Sequence, residues 1–551
     1  MSSWTLDVDV LVLGGGSAGA MAAIWAKEMD PSQRVAIFEK GDIKYSGSIP
    51  RGMDALNVVA VPGLSTSEEY MQSIRLTSEG VVDDSPSYAM VGRSWDLVQT
   101  LASWGVHFPH DDRGNYEVVQ THPRGRFTLT MHDPELKVKL AQQVRARGCQ
   151  VFNRVMAVEL LVEEGRVVGA IGLNVRSGEL VVARAKSVIL ASGGAARFGL
   201  PSSGYLYGGF DFPGNSGDGY MLAYRAGAHL TGFEHTMRNC LVKDMGAPLM
   251  YIVLTRGARV FDALDGELTR AESRLDTMLR RHDQGRGPNR LVLRDLSEER
   301  IRQIEEILFT VERPAQKRFF EGRGIDFRRS DIELWPTDYF LCGGHGMTGV
   351  LVNERAETTV PGLFAAGDNA CVARGYLSGA FIFGQIAAES ATAYARSAQR
   401  ARLNDGQVQV VEHKLANIAA AKGRVGVDEF EFKARRMITD YATPPKNAYK
   451  LKQALVMAER LLRDLPVVVA VRDVRDVTKV LEIESIIGCL ALSAAASLER
   501  KESRWGSFHL RTDYPERDDA NWLKHVVCRR GESDLDVRVS SQPVQRLGVA
   551  E

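Results

Sequence analysis

A glycine-rich stretch, AAGDNACVARGYLSGAFIFG from Ala365 to Gly384, carries three polar side chains that could do chemistry. Asp368, Arg374 and Tyr376 stand there among glycine, alanine and serine, which allow another group to approach the backbone closely. A carboxylate, a guanidinium and a phenol can accept a hydrogen bond, hold an anion and donate a proton, respectively. The stretch therefore predicts that some group comes close to this backbone and meets these polar side chains.

The elements that would position this site begin near the N-terminus. We expect a buried strand over Asp7–Leu13, then the turn GGGSAG with Gly14, Gly16 and Gly19 in the G-x-G-x-x-G spacing, then a helix through Ala20–Lys27. The first glycine permits a tight turn, the second lets backbone N–H groups approach a diphosphate, and the third lets the helix pack on the strand. The spacing predicts dinucleotide binding.

Later segments favour FAD over NAD. The strand RVAIFEK ends in Glu39, where an acid can accept hydrogen bonds from a ribose, and the Gly/Ser loop YSGSIPRGMDALN that follows suits a flavin ring. Two further close-approach segments are AKSVILASGGAARFG and GNSGDGYMLAYRAGA. The predicted cofactor-binding residues are Gly14, Gly16, Ser17, Ala18, Gly19, Glu39, Lys40, Ser46, Gly47, Ser48, Gly52, Asn57, Ala157, Ala191, Ser192, Gly193, Asn215, Asp218, Gly367, Asp368, Ser378 and Gly379.

Composition excludes several other classes of protein. The 551 residues include 69 basic and 69 acidic side chains, so no global field draws the chain to nucleic acid or to an anionic membrane. The six cysteines form no CxxC pair, which argues against a disulfide framework and against iron–sulfur or zinc sites, so we predict no metal. The apolar N-terminal run lacks a basic leading segment, and we expect a cytoplasmic protein without membrane insertion.

Five segments together resemble the flavoprotein subunits of succinate dehydrogenase and fumarate reductase: GGGSAG, VILASGG, NSGDGYMLAYRAGA, PGLFAAGD and ESRWGSFHLRTDYPERDDANWLKH. The loop YSGSIPRGMDALN and the segment LCGGHGMTG look most like the adenylylsulfate reductase alpha-subunit branch. The resemblance covers about residues 7–526. It implies an α/β fold: a Rossmann-like FAD-binding domain (1–232 and 341–400), an inserted α+β capping domain (233–340), and a helical C-terminal domain with a terminal tail (401–551).

The resemblance also implies roles for residues near the flavin. Asp368 would bond to the ribityl or diphosphate part of FAD, and the helix that starts within LSGAFIFGQ would point at the ring. Gly47 stands where the succinate and fumarate enzymes carry the histidine that binds FAD covalently, which predicts non-covalent FAD.

The substrate positions depart from both branches. Tyr376 and Tyr339 stand where the dicarboxylate enzymes keep an arginine and a histidine. Arg374 and Leu241 stand where adenylylsulfate reductases keep a histidine and an arginine. Since dicarboxylates need cationic partners, a different anionic substrate is expected.

The predicted catalytic residues are Arg374, His345, Tyr376, Arg238 and Arg256, with Arg259 and His235 as further members of the inventory. His345 and Asn57 match the adenylylsulfate reductase pattern. Each has a structural alternative: an arginine can be a surface residue or part of an ion pair, and a histidine can be a satisfied core residue.

The function implied is an FAD-dependent oxidoreductase. It would perform two-electron chemistry at flavin N5 on a small anionic molecule and exchange electrons with a ferredoxin-like iron–sulfur protein, and a higher oligomer is possible. Two alternatives stay open: a stand-alone fumarate-reductase-like or dehydrogenase flavoenzyme acting on a carbon–carbon bond, and a non-catalytic electron-transfer subunit.

Overall fold

The computed structural model describes residues 2–51, 53, 55–122, 124–201, 211–246, 249–269, 275–312, 315–402 and 405–547. It has a mixed α/β fold with two hydrophobic cores. One core surrounds the parallel sheet, and the other lies among the helices that follow residue 405.

A five-stranded parallel sheet, named here the central sheet, carries the site. Its strands lie in the order Leu363–Ala365, Ser187–Leu190, Val10–Leu13, Val35–Glu39 and Gln150–Asn153. Almost every residue of the three middle strands is apolar and all are buried. The helices Ser17–Met29 and Tyr376–Ser397 pack on this sheet, and so do the strands Val155–Glu163 and Arg166–Asn174 of a second sheet. The carboxyl ends of parallel strands meet at one edge, so the loops after Leu13, Glu39 and Leu190 are brought together there.

The first predicted strand, Asp7–Leu13, is wrong as one element. Ser3–Asp7 pairs with Leu180–Arg184 in a second sheet, and only Val10–Leu13 belongs to the central sheet. Asp9 at the break forms ion pairs with Lys186 and Arg400 near the surface, and a buried strand could not accommodate that charge.

Antiparallel sheets surround the central one. The second sheet has the order Ser3–Asp7, Leu180–Arg184, Arg166–Asn174, Val155–Glu163. The predicted capping segment holds a five-stranded sheet, Cys240–Val242, Ile332–Pro336, Asn289–Val292, Arg259–Phe261, Glu267–Leu268. A four-stranded sheet joins distant segments in the order Gly349–Val350, Leu230–Thr231, Lys524–Arg530, Val537–Pro543. A two-stranded sheet pairs Val425–Gly426 with Val469–Ala470. In a three-stranded sheet, Thr128–Thr130 lies between Ala55–Leu56 and Val118–Val119. The predicted domain boundaries stay predictions.

Two long helices pack beside the central sheet, Ser17–Met29 and Tyr376–Ser397. The other helices within the described residues are Ser67–Thr77, Asp84–Gly92, Ser94–Ser103, Leu136–Ala146, Asp218–Arg225, Met250–Leu254, Leu275–Arg281, Glu298–Glu306, Ala315–Gly322, Asp405–Ala419, Val427–Tyr441, Ala448–Val468, Val474–Glu499 and Asp519–Trp522. Pro466 lies in the last turn of Ala448–Val468.

Helix Val474–Glu499 is, among the described residues, the one helix long and apolar enough to cross a membrane. Its most apolar window is 89% buried inside the protein, where it packs against the neighbouring helix Ala448–Val468. A core helix of a large domain has this composition too.

Candidate active site

A cleft opens at the carboxyl edge of the central sheet and encloses about 830 Å³, including its open mouth. Seventeen of the predicted cofactor-binding residues line it: Gly14, Gly16, Ser17, Ala18, Glu39, Lys40, Ser46, Gly47, Ser48, Ala157, Ala191, Ser192, Gly193, Asn215, Asp218, Gly367 and Asp368. The structure therefore brings together segments that are more than 350 residues apart in sequence.

The glycine loop fits its predicted shape. A Cβ added at Gly14, where φ is +102°, would lie 2.4 Å from the carbonyl oxygen of Ala191, and one added at Gly19 would lie 1.8 Å from that of Gly14. A Cβ at Gly16 would meet no atom within 4 Å, because this residue faces the cleft. Helix Ser17–Met29 begins there without a side-chain cap, so its first N–H groups are available to an anion.

Glu39 shapes this loop from the next strand. Its carboxylate accepts hydrogen bonds from the backbone N–H groups of Gly15, at 2.7 Å, and Gly41, at 2.6 Å. The side chain thus holds the glycine turn in place, in addition to lining the cleft.

Lys40 and Asp218 meet in a buried ion network. The Lys40 ammonium lies 2.6 Å from a carboxylate oxygen of Asp218 and 3.0 Å from one of Glu482. Glu482, on the long core helix, also pairs with Arg197, which in turn pairs with Glu431. This end of the cleft is therefore tied to the helices that follow residue 405.

Two neighbouring carboxylates lie where Asp368 lines the cleft, with Asp211 buried and Asp368 partly buried. Oxygens of Asp211 and Asp368 and the Cys342 sulfur all lie within 4.8 Å of one another. Asp368 accepts a hydrogen bond from the Gly344 N–H at 3.0 Å. Burial and the nearby Asp211 raise the pKa of the Asp368 carboxyl to about 7. A carboxylate so close disfavours the charged form of Asp368.

The segment Arg374–Tyr376 adopts an uncommon backbone. Arg374 and Tyr376 have φ of +52° and +51°, and their N–H groups donate to the carbonyls of Gly346, at 3.1 Å, and Gly344, at 3.0 Å. Arg374 Nε is buried and has no hydrogen-bond partner. Strained, non-glycine residues held by such bonds are typical of functional sites.

Uncharged rings surround Arg374. The His345 ring lies 5.0 Å from that of Tyr376, centroid to centroid, and His122 lies 6.4 Å from Tyr376 on another side. Burial lowers the pKa of His345 to about 4, with Asp211 opposing and Arg374 adding to this effect. Burial also lowers the pKa of His122 and raises that of Tyr70, whose ring lies 5.9 Å from His122. At neutral pH these side chains are hydrogen-bonding groups without charge.

His235 belongs to the same neighbourhood. It is fully buried between Trp505 and Phe508, and neither ring nitrogen has a hydrogen-bond partner. Burial, then the charge of Arg374, lowers its pKa well below the usual range. An unpartnered imidazole in such a place can meet a ligand.

The other predicted arginines are engaged elsewhere. Arg238 pairs with Asp283 and stacks on the Tyr339 ring at 5.0 Å, Arg256 lies 3.3 Å from Glu117, and the half-exposed Arg259 pairs with Asp295. These pairs neutralise the charge, which supports the ion-pair alternative over anion binding at these three positions.

Four predicted cofactor residues do not line the cleft, and Gly52 lies outside the described residues. Gly19 packs helix on strand, as above. The Asn57 carbonyl pairs with His122 Nε2 at 2.8 Å, Ser378 Oγ accepts from the Val58 N–H at 3.3 Å, and Gly379 faces the Met90 sulfur. Asn57 thus supports the ring cluster instead of the cleft, and Gly379 makes room for a core methionine.

Sequence reasoning missed Tyr70, His122, Asp211 and Lys137. Tyr70 follows the apolar pattern of an ordinary helix, and the other three stand alone in segments without a motif. Only spatial neighbours distinguish them, since no spacing signal exists for a residue that meets its partners from another part of the chain.

Comparison with known proteins identifies the family. The FAD binding domain family matches residues 9–380, and the family described as fumarate reductase flavoprotein C-term matches residues 433–549. The chain belongs to the FAD binding domain family. It is an FAD-dependent oxidoreductase, and the prediction of FAD is confirmed.

Relatives of the flavoprotein are similar over nearly their whole length. An uncharacterized FAD-dependent oxidoreductase of Methanocaldococcus jannaschii is 26% identical, over 95% of this chain and 96% of its own. One subunit of the CoM/CoB fumarate reductase of Methanothermobacter marburgensis is 26% identical, over 96% and 98%. The solved adenylylsulfate reductase of Archaeoglobus fulgidus has the same fold, with a TM-score of 0.89 at 22% identity, over 100% and 97%.

The cleft of this flavoprotein suits FAD on its own geometry. Its glycines leave no room for a Cβ where strand, loop and helix meet, and an uncapped helix N-terminus faces the opening. A dinucleotide needs both features, close backbone approach and free N–H donors for its diphosphate.

Proposed function

We propose that this flavoprotein binds FAD non-covalently. The first turn of helix Ser17–Met29 would hold the diphosphate, and Asp368 would accept a hydrogen bond from the ribityl side. Gly47 lines the cleft with φ of +82°, and a Cβ there would lie 3.1 Å from Gly16 Cα. This close packing supports a contact through backbone, at a position that offers no side chain for a covalent bond.

The substrate proposed is a small anion bound by Arg374. Bound FAD supplies two-electron transfer, and this chain's residues supply charge and position. The observation that carries the proposal is the buried Nε of Arg374, which lacks a partner although two backbone hydrogen bonds fix the segment around it. Within the described residues no carboxylate forms an ion pair with Arg374. A guanidinium held in this way is ready for a carboxylate or oxyanion.

Neutral groups beside Arg374 would orient the substrate and handle its proton. His345, with its pKa lowered to about 4, stays uncharged and can donate a hydrogen bond from one ring nitrogen. The Tyr376 hydroxyl can donate another. The rings of His122 and Tyr70 close one side and help to exclude water.

We propose an iron–sulfur protein as the electron-transfer partner. All six cysteines are free thiols, and five of them are buried, so this chain offers no cluster of its own in the part that the structure describes. Relatives named as subunits support a multi-subunit enzyme. The strand Val537–Pro543 lies at the edge of its sheet and exposes backbone groups that a partner could pair with.

The test is an anaerobic titration of the holoprotein followed by flavin absorbance, with sulfite, sulfite plus AMP, and succinate. Arg374→Ala is compared with Arg374→Lys and with Arg396→Ala, at the exposed end of the helix that follows Arg374, and FAD content is measured in each. We expect loss of the substrate-induced change in Arg374→Ala with FAD still bound, partial retention in Arg374→Lys, and no effect of Arg396→Ala.

Unchanged turnover of Arg374→Ala in the intact complex would contradict the anion-site proposal and support the electron-transfer role instead. Rapid turnover with an artificial acceptor and no partner would contradict the iron–sulfur proposal. Bleaching by none of the three additions would exclude both family reactions and leave another anion as substrate.

A further inference from the structure

A buried lysine lies directly beneath the glycine loop. Lys137 stands in the first turn of helix Leu136–Ala146 and is 3% exposed. Its ammonium donates a short hydrogen bond to the Gly15 carbonyl oxygen, from a position 122 residues away in sequence. The Gly15 N–H donates to Glu39, so the two charged side chains hold the Gly15 residue through its N–H and its carbonyl, which belong to successive peptide groups.

This clamp decides which way the loop faces. Gly14 and Gly16 line the cleft, whereas Gly15 between them does not. The Gly15 carbonyl is directed at Lys137, away from the cleft, while Gly14 and Gly16 on either side face the opening. The lysine therefore lies on the protein side of the same loop whose other side meets the cofactor.

Among the described residues, Lys137 has no direct salt-bridge partner. Burial lowers its pKa to about 8, against the opposing charges of Glu39 and Asp42. A cation held in a dry position without a salt bridge is costly to the fold, unless an anion arrives to compensate it.

We propose that Lys137 is a cofactor-anchoring residue, which fixes the Gly15 peptide and directs a positive charge at the diphosphate of FAD. The uncapped N-terminus of helix Ser17–Met29 acts on the same anion from the cleft side. The diphosphate thus meets partial positive charges in front and a full charge behind the loop. This inference concerns the cofactor alone, so it stands or fails independently of the anion site at Arg374.

The experiment measures the affinity of the full-length apoprotein for FAD, from quenching of FAD fluorescence. Lys137→Met removes the charge and the hydrogen bond, and Lys137→Gln keeps a donor for Gly15 but removes the charge. Lys139→Met is the matched control, because Lys139 lies on the same helix, is partly exposed, and bonds to Asp133 and to the Gly105 carbonyl. We expect roughly tenfold or weaker FAD binding in both Lys137 variants, from loss of one near charge, and less than about twofold change in the control.

ADP and adenosine, competed against FAD, separate a charge effect from a purely structural one. The loss in Lys137→Gln should appear with ADP, which carries the diphosphate, and not with adenosine. Folding is checked by circular dichroism. If Lys137→Met does not fold, the folded Lys137→Gln variant carries the test. Wild-type FAD affinity in a folded Lys137→Gln would overturn the proposal, and so would equal losses for ADP and adenosine.

Discussion

Replacing Asp211 by Asn should change the stability of the apoprotein by an amount that depends on pH. We compare the variant with wild type at pH 5 and at pH 8. Asp211 Oδ1 accepts hydrogen bonds from Ser48 Oγ and the Phe212 N–H, and an Asn oxygen keeps both. Asp211 Oδ2 is buried and has no partner, so the new amide would occupy that position and could donate to Asp368. The substitution therefore removes a charge with little change of shape.

The expected magnitude follows from the separation of the two carboxylates. At 4.8 Å or less, with an effective dielectric of about 20, two negative charges repel by about 3 kcal/mol or somewhat more. Because the pKa of Asp368 is raised to about 7 in the folded state, against 3.8 ordinarily, its proton stabilises the fold at low pH. Wild-type stability should decline as pH rises from about 4 through 7, because Asp368 keeps its proton to higher pH in the folded protein than in the unfolded chain.

In Asp211→Asn the repulsion between residue 211 and Asp368 is gone, so stability should fall less steeply as pH rises. Some decline remains, because burial still raises the pKa of Asp368. We expect the variant apoprotein to be roughly 1–3 kcal/mol more stable than wild type at pH 8. At pH 5 the difference should be much smaller, since Asp368 carries its proton there and this repulsion is absent in wild type.

The assay is urea denaturation of the apoprotein at both pH values, at constant ionic strength. Asp265→Asn is the control, because that side chain is 85% exposed and pairs only at the surface. A difference between Asp211→Asn and wild type of the same sign and size at pH 5 and pH 8 would refute the argument that Asp211 raises the pKa of Asp368.

Two further predictions concern packing around the site. Gly19→Ala places a Cβ 1.8 Å from the Gly14 oxygen. It should lower the free energy of unfolding by at least about 3 kcal/mol and should also weaken FAD binding. Gly16→Ala meets no atom within 4 Å and should lose FAD affinity while keeping its thermal midpoint; equal midpoints for both variants would contradict this. Met90→Ala removes the sulfur that packs against Gly375 and Gly379, costing about 2–5 kcal/mol, and should impair flavin reduction by substrate more than FAD retention. Met29→Ala, at 43% exposure, is its control, and a substrate response unchanged in Met90→Ala would exclude a positioning role.

The cofactor elements could be predicted because their requirements are local. Gly14, Gly16 and Gly19 owe their identity to one turn and the helix after it, where a larger residue meets backbone or blocks the cleft. The same holds for the strand endings at Glu39 and Ala191, since apolar runs followed by small residues specify strand and loop together. The prediction of one strand over Asp7–Leu13 was wrong because the break is set by the long-range partners of Asp9.

The sequence by itself determined the FAD cleft and the kind of chemistry, because both depend on backbone geometry that short motifs encode. Only the tertiary structure decided which charges are available to a ligand. Arg238 and Arg256 are neutralised by Asp283 and Glu117, 45 and 139 residues away, whereas no carboxylate among the described residues forms an ion pair with Arg374. A residue's type fixes its charge in water. In the folded protein, its partners and its burial decide whether that charge is available to a ligand, and those partners come from segments far away in sequence.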